Sequence, residues 1–558
     1  MAQIAIYLGA DRIISSCGLT TAENVDAIGR YELGVKTFVD SALGEGAQTA
    51  GRIDWARLYS KKRLPHFEAL LIEAIGSVVA QSGVDPKAEG TRLIVATTKG
   101  NIDLLHNEPK PDSRCFIAEA AQRIADSVGF AVRPVVVSNA CISGVAALII
   151  GRRMIASGQC TDVIVAGADI LSEFVVSGFQ SFKSVSCEVC RPYDKLHDGL
   201  SLGEACGVIL LTSNPIKAKG KPVLLAGGFL TQDANHLSAP SRTGEELATA
   251  IRQAINEAKI TPEQVDFVNA HGTATLYNDE MECKALHLVG LGGKPLNSLK
   301  PYLGHTLGAA GVVETILTAE QLRRDVVFGT PRYTECGTPL PLNITAHHRQ
   351  MALTSAVKSA SGFGGCNAAI VLSCNAQSKS SSTTYDIQQR ASYMLTNNGE
   401  PFAERIRREY RSLGAPNIRF SKMDNLSKLG YVATEKLLAM GDLLQKYNPA
   451  RIGIILSNRS ASLDTDIRHQ RVVESHPEEG VSPAVFVYTL PNIVVAEISI
   501  RHGIKGEGLF FLEPMLGGFA EEYARQLVVT GVLDAVICGW CELLGENYEV
   551  QLNLLEKI

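Results

Sequence analysis

Short apolar runs alternate along the chain with longer stretches in which apolar residues recur every three or four positions. Val135–Val137 precedes one such stretch, which has apolar residues at 145, 148, 149 and 156. Residues 162–167, 208–211 and 265–270 repeat the short type. Short apolar runs are typical of buried strands, and the periodic stretches are typical of helices. The pattern predicts an α/β architecture in which helices cover both faces of the sheets.

A polar, serine-rich segment interrupts this alternation at residues 375–384. Such a composition is typical of a linker between domains. The alternative is a surface loop inside one domain. We favour a linker, placed at 376–389, because the apolar pattern starts again after it.

The restarted pattern repeats the spacing of the first part of the chain. Gly158 lies 17 residues after Cys141, and Gly531 lies 17 residues after Pro514. An apolar run follows each glycine. Upstream of Cys141, residues 92–98 resemble residues 451–457, which lie upstream of Pro514. The spacing predicts a degenerate repeat of one structural unit, with proline in the second copy where the first has cysteine.

Composition and charge narrow the class of protein. The 558 residues are 46% hydrophobic and 20% charged, with 53 Lys and Arg against 58 Asp and Glu, a net charge of −5. These values exclude collagen-like, coiled-coil and disordered chains and disfavour a nucleic-acid partner. The most apolar stretch, 135–150, is too short and too polar to span a bilayer, and the first residues do not resemble a signal peptide. We therefore expect a cytoplasmic protein without an integral membrane segment.

Thirteen cysteines in a long chain predict reduced thiols rather than a disulfide framework. Cys187 and Cys190 form a C-x-x-C pair, but no second pair with suitable spacing follows. We predict no metal site on this basis.

Cys141 is the candidate nucleophile. It lies between an apolar strand and an Ala- and Ile-rich helix, in the segment 138–144. A thiol at a helix N-terminus is expected to have a lowered pKa and to supply thiolate. If Cys141 stood alone, a buried structural cysteine would be the alternative interpretation.

Two histidines and a glycine-rich turn add to this candidate site. His271 follows the predicted strand 265–270, and His305 lies in the glycine-rich segment 300–311. Residues 361–367, Ser-Gly-Phe-Gly-Gly-Cys-Asn, are a turn whose backbone N–H groups can stabilise an oxyanion. A Cys with two His in such turns favours catalysis over a structural role.

These four motifs, in this order, resemble the β-ketoacyl-acyl-carrier-protein synthase family of the thiolase fold. The resemblance covers residues 1–375 and extends to Arg191–Asp194, Asp198, Gly203, Glu204, Asp279, Glu282 and Glu314. It implies two βαβαβ halves in α-β-α-β-α layers, at 1–222 with the cysteine and at 223–375 with the histidines. Degradative thiolases use a second Cys in place of one His, which disfavours that branch.

The resemblance also implies a role for each matched residue. Cys141 would take an acyl chain from an acyl carrier protein, and neutral His271 and His305 would promote decarboxylation of a malonyl extender. The backbone N–H groups of Cys141 and Phe363 would form the oxyanion hole, with Phe363 also acting as a gate. Lys300 would order the site, and Thr273 and Thr275 would hold the pantetheine arm. No cofactor is implied. Ser361 replaces a residue that is often Phe in the gating loop.

Residues 390–558 resemble only an N-terminal thiolase half, a third unit without the histidine motifs and with Pro514 at the nucleophile position. This half resembles a truncated, inactive chain-length factor fused to a ketosynthase, as we associate with aryl polyene pigment synthases. It implies an intramolecular pseudo-dimer. Phe486 and Tyr488, in a segment that resembles the family's dimer-crossing segment, are expected to line the far end of the acyl tunnel. A purely structural interface is the alternative.

Three functions are therefore considered. The first is an acyltransferase, a 3-oxoacyl-carrier-protein synthase that elongates a polyketide or polyene chain iteratively. The second is a fatty-acid 3-oxoacyl-carrier-protein synthase II, and the third is a non-catalytic assembly protein. The basic segment 405–411 is either a docking patch for an acidic carrier protein or a solvated helix face.

Overall fold

Three units of like topology follow one another along the chain. The computed structural model describes residues 4–44, 46–58, 64–105, 111–375, 384–414, 417–475 and 480–558. Most of the predicted linker, residues 376–383, lies outside the described residues.

The first unit carries the predicted strand–helix–strand pattern around Cys141. Its strands are β1 (Tyr7–Ser15), β2 (Val35–Val39), β3 (Ala47–Gly51), β4 (Thr91–Ala96), β5 (Val135–Val137), β6 (Asp162–Asp169), β7 (Leu202–Gly203) and β8 (Ala205–Thr212). Its helices are α1 (Thr21–Gly29), α2 (Trp55–Leu58), α3 (His66–Ser82), α4 (Ile117–Val128), α5 (Ser143–Ala156) and α6 (Glu173–Ser181).

The second unit begins at β9, close to the predicted boundary at 223. Its strands are β9 (Leu224–Gln232), β10 (Phe267–Asn269), β11 (Leu296–Asn297), β12 (Val326–Val327), β13 (Arg349–Gln350), β14 (Ser355–Gly362) and β15 (Cys366–Ser373). Its helices are α7 (Glu245–Glu257), α8 (Leu276–Leu288), α9 (Lys300–Leu303) and α10 (Ala310–Arg324).

The third unit begins at Ile387, three residues earlier than the sequence suggested, because its first strand is a polar edge strand. Its strands are β16 (Ile387–Thr396), β17 (Ile452–Asn458), β18 (Gly508–Leu512), β19 (Ala535–Leu544) and β20 (Asn547–Lys557). Its helices are α11 (Phe402–Arg411), α12 (Asn425–Leu438), α13 (Leu443–Lys446), α14 (Leu463–Glu474), α15 (Pro483–Val487), α16 (Ile493–His502) and α17 (Phe519–Val529).

The order of the main strands is the same in all three units. The first has β1-β8-β6-β4-β5, the second β9-β15-β14-β10-β11, and the third β16-β20-β19-β17-β18. In each, the last strand along the chain is inserted antiparallel beside the first and the fourth. This common order is the repeat that the spacing predicted, and it confirms the thiolase-like fold.

The first two units form the predicted α-β-α-β-α layers. Helices α5 and α10 pack on each other and on strands of both sheets, so they form the central layer. All residues of α5 from Ser143 to Ile155 are buried, as expected for a central helix that is apolar over most of its length and whose two arginines are ion-paired. Helices α3 and α4 cover the outer face of the first sheet, and α7 and α8 cover that of the second.

The third unit extends the sheet of the first unit at the edge next to Cys141. Strand β18 pairs antiparallel with β5, with Phe511 opposite Val137. The N–H of Ser138 donates to the carbonyl of Phe510 at 3.0 Å, and the side chain of Asn139 donates to the carbonyl of Gly508 at 3.2 Å. The loop that carries the cysteine is thus bonded on one side to the third unit.

Within the described residues, no second half covers helix α17 of the third unit, which matches α5 by position. Whereas α5 is buried throughout, α17 exposes Glu522 and half-exposes Glu521, Arg525 and Gln526. Because the outer face of α17 is polar, it can contact water without a further layer of helices over it. No helix in the described ranges is long and apolar enough to cross a membrane.

Candidate active site

Cys141 lies at a strained turn between β5 and α5. Ala140 has a φ of +47°, a region that L-residues rarely adopt. The hydroxyl of Ser143 accepts the N–H of Asn139 at 2.8 Å and donates to the carbonyl of Ala140 at 2.6 Å, which holds the turn closed. Gly144 allows close packing of α5, because a Cβ there would lie 2.8 Å from the carbonyl of Gly308.

The two predicted histidines meet this cysteine in one site. His305 Nε2 lies 3.0 Å from Cys141 Sγ, and the rings of His271 and His305 lie 5.2 Å apart, edge to face. The backbone of His305 is held on both sides, by Ser201 at 2.7 Å and Gly203 at 3.0 Å. The cysteine motif thus forms one constellation with two histidine motifs that follow it more than a hundred residues later in the chain.

The turn at His271 is held by a buried carboxylate. Glu282 accepts the N–H groups of His271 and Gly272, each at 2.8 Å, and the hydroxyl of Tyr193 at 2.5 Å. Asp279 accepts the N–H of Tyr193 at 2.7 Å. These matched family positions hold the loop that presents the imidazole.

The resting state of the thiol differs from the expectation. Burial raises the pKa of Cys141 to about 12, although Lys300 and the backbone N–H groups of Phe363 and Cys141 favour the thiolate. The predicted lowering of the thiol pKa is therefore wrong, because the cost of removing a thiolate from water exceeds the effect of the helix end. The N–H groups of Phe363 and Cys141 nevertheless lie beside the sulfur.

Both imidazoles are neutral at pH 7. Burial, followed by the charge of Lys300, lowers the pKa of His305 to about 3. The same two causes, in the same order, lower the pKa of His271 well below its usual range. A neutral His305 at 3.0 Å can accept the proton of the Cys141 thiol.

Lys300 is part of a buried ionic network. Its ammonium group donates to the carbonyl of His271, lies 3.5 Å from His271 Nδ1 and pairs with Glu314 at 2.8 Å. Glu314 also pairs with Lys358 at 2.7 Å. The sequence analysis missed Lys358, although a lysine in the otherwise small and apolar strand 355–362 was a visible signal.

A cavity of about 490 Å³ opens at these residues. Thr273 and Thr275 line it together with Cys141, and their hydroxyl oxygens lie 2.8 Å apart. Ser361 also lines it and donates to Asn367 Oδ1 at 2.8 Å, so the residue that departs from the family pattern is hydrogen-bonded within the turn 361–367. Further lining residues are Phe179, Phe182, His271, His305 and Phe363.

A second cavity, of about 20 Å³, lies on the other side of Cys141. Phe486 and Leu490 of the third unit line it together with Phe363, Leu307 and Lys99. Tyr488 lines neither of these two cavities as they are described; its hydroxyl donates to Glu497 at 2.6 Å. Of the two tunnel residues expected in the third unit, the structure thus places Phe486 beside the cysteine and Tyr488 away from it.

The third unit also contacts the glycine-rich turn 361–367. The side chain of Asn492 donates to the carbonyl of Phe363 at 2.9 Å. Gly364, with a φ of +91°, makes room for this contact, because a Cβ there would lie 2.7 Å from Asn492 Nδ2. The sequence analysis did not single out Asn492, and no local pattern marks it.

The turn that matches Cys141 in the third unit carries no nucleophile. Pro514 stands at that position, and Glu513 beside it accepts the N–H of Ala520 at 2.9 Å. A buried carboxylate thus caps α17 at the place where α5 presents a thiol.

Two other motifs line neither of the cavities described above. In α11, Arg405 pairs with Glu409 at 3.2 Å and Arg408 pairs with Glu400, so much of the basic segment is neutralised within the third unit. Cys187 is exposed and Cys190 is buried. The described ranges contain no group of three or more His, Cys, Asp or Glu that could hold a metal ion.

Comparisons with known proteins bear on the same residues. A family model described as "Beta-ketoacyl synthase, N-terminal domain" matches residues 49–215, and one described as "Beta-ketoacyl synthase, C-terminal domain" matches residues 223–334. The "Putative polyketide beta-ketoacyl synthase 1" of Streptomyces virginiae is 32% identical over 323 residues, which are 53% of this chain and 74% of that protein.

Shorter and more distant similarities complete the comparison. The "3-oxoacyl-[acyl-carrier-protein] synthase 2" of Mycobacterium leprae (strain TN) is 33% identical over 249 residues, which are 42% of this chain and only 59% of that protein. The solved structure "PfaC Keto synthase-Chain length factor" matches with a TM-score of 0.78 and 14% identity, covering 99% of this chain and 78% of that one. At this identity the structure shows a shared fold, which includes the third unit.

Proposed function

The chain belongs to the β-ketoacyl synthase family, and we propose that it catalyses the decarboxylative condensation of an acyl chain with a malonyl unit, both carried as thioesters on acyl carrier protein. The observation that carries this proposal is the contact of 3.0 Å between His305 Nε2 and Cys141 Sγ, with His271 beside them in one cavity.

The first step is acyl transfer to Cys141. The thiol proton passes to His305 Nε2 as the sulfur attacks the carrier thioester. The new C–S bond to Cys141 forms, the bond to the carrier sulfur breaks, and the proton goes to the leaving carrier thiolate. The N–H groups of Cys141 and Phe363 bind the oxyanion of the tetrahedral intermediate.

The second step is decarboxylation of the malonyl thioester. The bond between C2 and its carboxylate breaks, CO₂ leaves, and the electron pair forms an enolate. His271 and His305, both neutral, donate N–H bonds to the enolate oxygen as its charge develops. For His305, whose Nε2 served as the base in the first step, this requires that its proton has moved from Nδ1 to Nε2 by exchange with water. Lys300 at 3.5 Å from His271 Nδ1 favours the tautomer that carries its proton on Nε2.

The third step joins the two units. C2 of the enolate attacks the acyl carbon on Cys141, the C–C bond forms, and the C–S bond breaks. The Cys141 thiolate takes up a proton from water, because the thiol proton of the first step left with the first carrier, and the 3-oxoacyl product stays on the second carrier. Apart from this solvent proton, these steps use only groups of this chain and the two thioesters. Thr273 and Thr275 lie on the approach to the sulfur, where a pantetheine arm would pass.

For the third unit we propose the role of a fused, non-catalytic chain-length factor in iterative polyketide synthesis of the aryl polyene type. Pro514 cannot act as a nucleophile there, and Phe486 lines the small cavity beside Cys141. A fatty-acid synthase II role fits the same chemistry, but the added unit disfavours it. A non-catalytic assembly protein would not need the Cys141–His305 contact.

Intact-mass spectrometry with an acyl-loaded carrier protein tests the chemistry. The wild type should gain one acyl mass, and the variant Cys141→Ala should gain none; with malonyl carrier added, 3-oxoacyl carrier should form. Equal masses for the two proteins would refute the proposal.

Product length tests the role of the third unit. Phe486→Ala should lengthen the products, because removal of the ring enlarges the cavity that it lines. Tyr488→Phe is the matched control, since it lies in the same segment and lines neither described cavity. Unchanged length in Phe486→Ala would show that the contact is purely structural.

A further inference from the structure

A buried lysine on β14 lies behind the two histidines without touching the cavities. The side chain of Lys358 is fully buried, and its ammonium group lies 2.7 Å from Glu314 Oε2. The other oxygen of Glu314 lies 2.8 Å from Lys300. One carboxylate therefore pairs with two ammonium groups, and their local sum is one positive charge.

A series of contacts through Glu314 and Lys300 connects Lys358 to the imidazole of His271. Glu314 orients Lys300, and Lys300 donates to the carbonyl of His271 and lies 3.5 Å from its Nδ1. Strand β14 is parallel to β10, with Lys358 opposite Asn269, two residues before His271. The strand thus fixes the position of the lysine relative to the histidine turn.

The next residue of β14 supports the same histidine from the other face of the sheet. The hydroxyl of Ser359 donates to Glu282 at 2.6 Å, and Glu282 accepts the N–H of His271 at 2.8 Å. Adjacent residues on one strand therefore contact both carboxylates that position His271.

A buried ammonium group is costly to desolvate, whereas a methionine would fill similar space without that cost. Pairing with Glu314 alone does not explain Lys358, because Lys300 already pairs with that carboxylate. The net positive charge that Lys358 adds to this buried group is therefore the feature that a function has to explain.

We propose that Lys358 is a positioning residue for the decarboxylation step, which orients Glu314 for Lys300 and supplies the positive charge that keeps His271 and His305 neutral N–H donors. This inference rests on the proposed function above. Lys358 acts on both rings in the same direction as burial and Lys300, lowering the pKa of each imidazole. The other ionisable groups facing the rings are Glu314 and Cys141, with Glu282 on the amide of His271.

The test compares Lys358→Met and Lys358→Gln with the wild type. We expect malonyl-carrier decarboxylation to fall about tenfold or more, while acyl loading of Cys141 stays within about threefold. The acidic limb of the decarboxylation profile should move to higher pH, and histidine NMR titration should show raised imidazole pKa values. Lys217→Met, which removes a pair with Asp162, is the control and should change none of these.

The possible outcomes distinguish a failure of the role proposed for Lys358 from a failure of the proposed condensation activity. Equal losses of loading and decarboxylation, no change in rate or titration, or failure of both variants to fold would each overturn the role of Lys358. If the wild type neither loads nor decarboxylates, the proposed function fails, and the histidine titration still decides whether Lys358 controls their charge.

Discussion

The ring of Phe486 lies directly against the α-carbon of Gly178, so that a Cβ added at Gly178 would stand 2.2 Å from two ring carbons. Gly178 belongs to α6 of the first unit and Phe486 to α15 of the third. The ring also contacts Phe179, with centroids 5.5 Å apart, and His469, at 5.3 Å. The third unit therefore reaches the cavity beside Cys141 through a helix position that has no side chain.

Gly178→Ala should destabilise the protein by about 1–3 kcal/mol, because the new methyl group overlaps the ring. The usual gain from replacing a helical glycine is smaller than this overlap cost. Denaturant unfolding measures the change. When Phe486→Ala is already present, Gly178→Ala should cost less, since the overlap is gone.

The matched control is Gly76→Ala in α3, where an added Cβ meets nothing within 4 Å. It should stabilise by about 0.5–1 kcal/mol. Equal effects of the two substitutions would contradict the contact between Gly178 and Phe486.

The sequence allowed much of the fold to be predicted, because strand runs and glycine turns are local signals. The matching distances from Cys141 to Gly158 and from Pro514 to Gly531 appear in the structure as α5 and α17, each followed by the fourth strand of its unit. Residues at the cysteine and histidine turns were found for the same reason.

The remainder depends on tertiary contacts that no local pattern encodes. The pKa of Cys141 is raised rather than lowered because the fold buries the thiol, and burial cannot be read from a helix end. Asn492 bonds the carbonyl of Phe363 across the interface between the third unit and the turn 361–367, a contact between residues 129 positions apart in the chain. Tyr488 lies in the expected segment, but its hydroxyl bonds Glu497 instead of facing the cavity.

The ion pair between Arg153 and Glu507 should be essential to the contact of the first and third units. Arg153 Nη1 lies 2.7 Å from Glu507 Oε2, the two side chains are 7% and 0% exposed, and the hydroxyl of Tyr523 donates to Glu507. Glu507→Gln leaves a buried guanidinium without its counter-charge and should cost about 3–5 kcal/mol of unfolding free energy.

An exposed pair serves as the control for this loss. Lys195 and Glu335 lie 3.0 Å apart with side chains 63% and 65% exposed, so Glu335→Gln should change stability by less than about 0.5 kcal/mol. If Glu507→Gln lowers the free energy of unfolding by no more than Glu335→Gln does, the stabilising role of the buried pair is refuted.

The rate of acyl loading should be nearly independent of pH between about 5 and 9. The pKa of Cys141 is about 12 and that of His305 about 3, so a neutral thiol and a neutral imidazole persist across this range. Protonation of His305 would slow loading only at the acidic end. Intact-mass time courses at several pH values measure the rate.

His305→Asn removes the base and should slow loading by about 10²–10⁴-fold. Its residual rate should rise about tenfold per pH unit, because hydroxide then has to remove the thiol proton. A wild-type rate that rises in the same way would show that free thiolate, and not the pair with His305, is the reacting species.

The first and third units should stay together when the chain between them is cut. Cleavage at a protease site inserted within 376–383 cuts the chain between the second and third units. The β5–β18 pairing and the buried pair of Arg153 with Glu507 remain. Size-exclusion chromatography after cleavage should give one peak that contains both pieces, with acyl loading of Cys141 retained. Cleaved Glu507→Gln protein is the comparison and should separate at lower denaturant concentration, since it lacks the counter-charge of Arg153. Two separate peaks from the cleaved wild type would mean that the covalent connection, rather than the shared sheet and its buried contacts, holds the third unit against the active site.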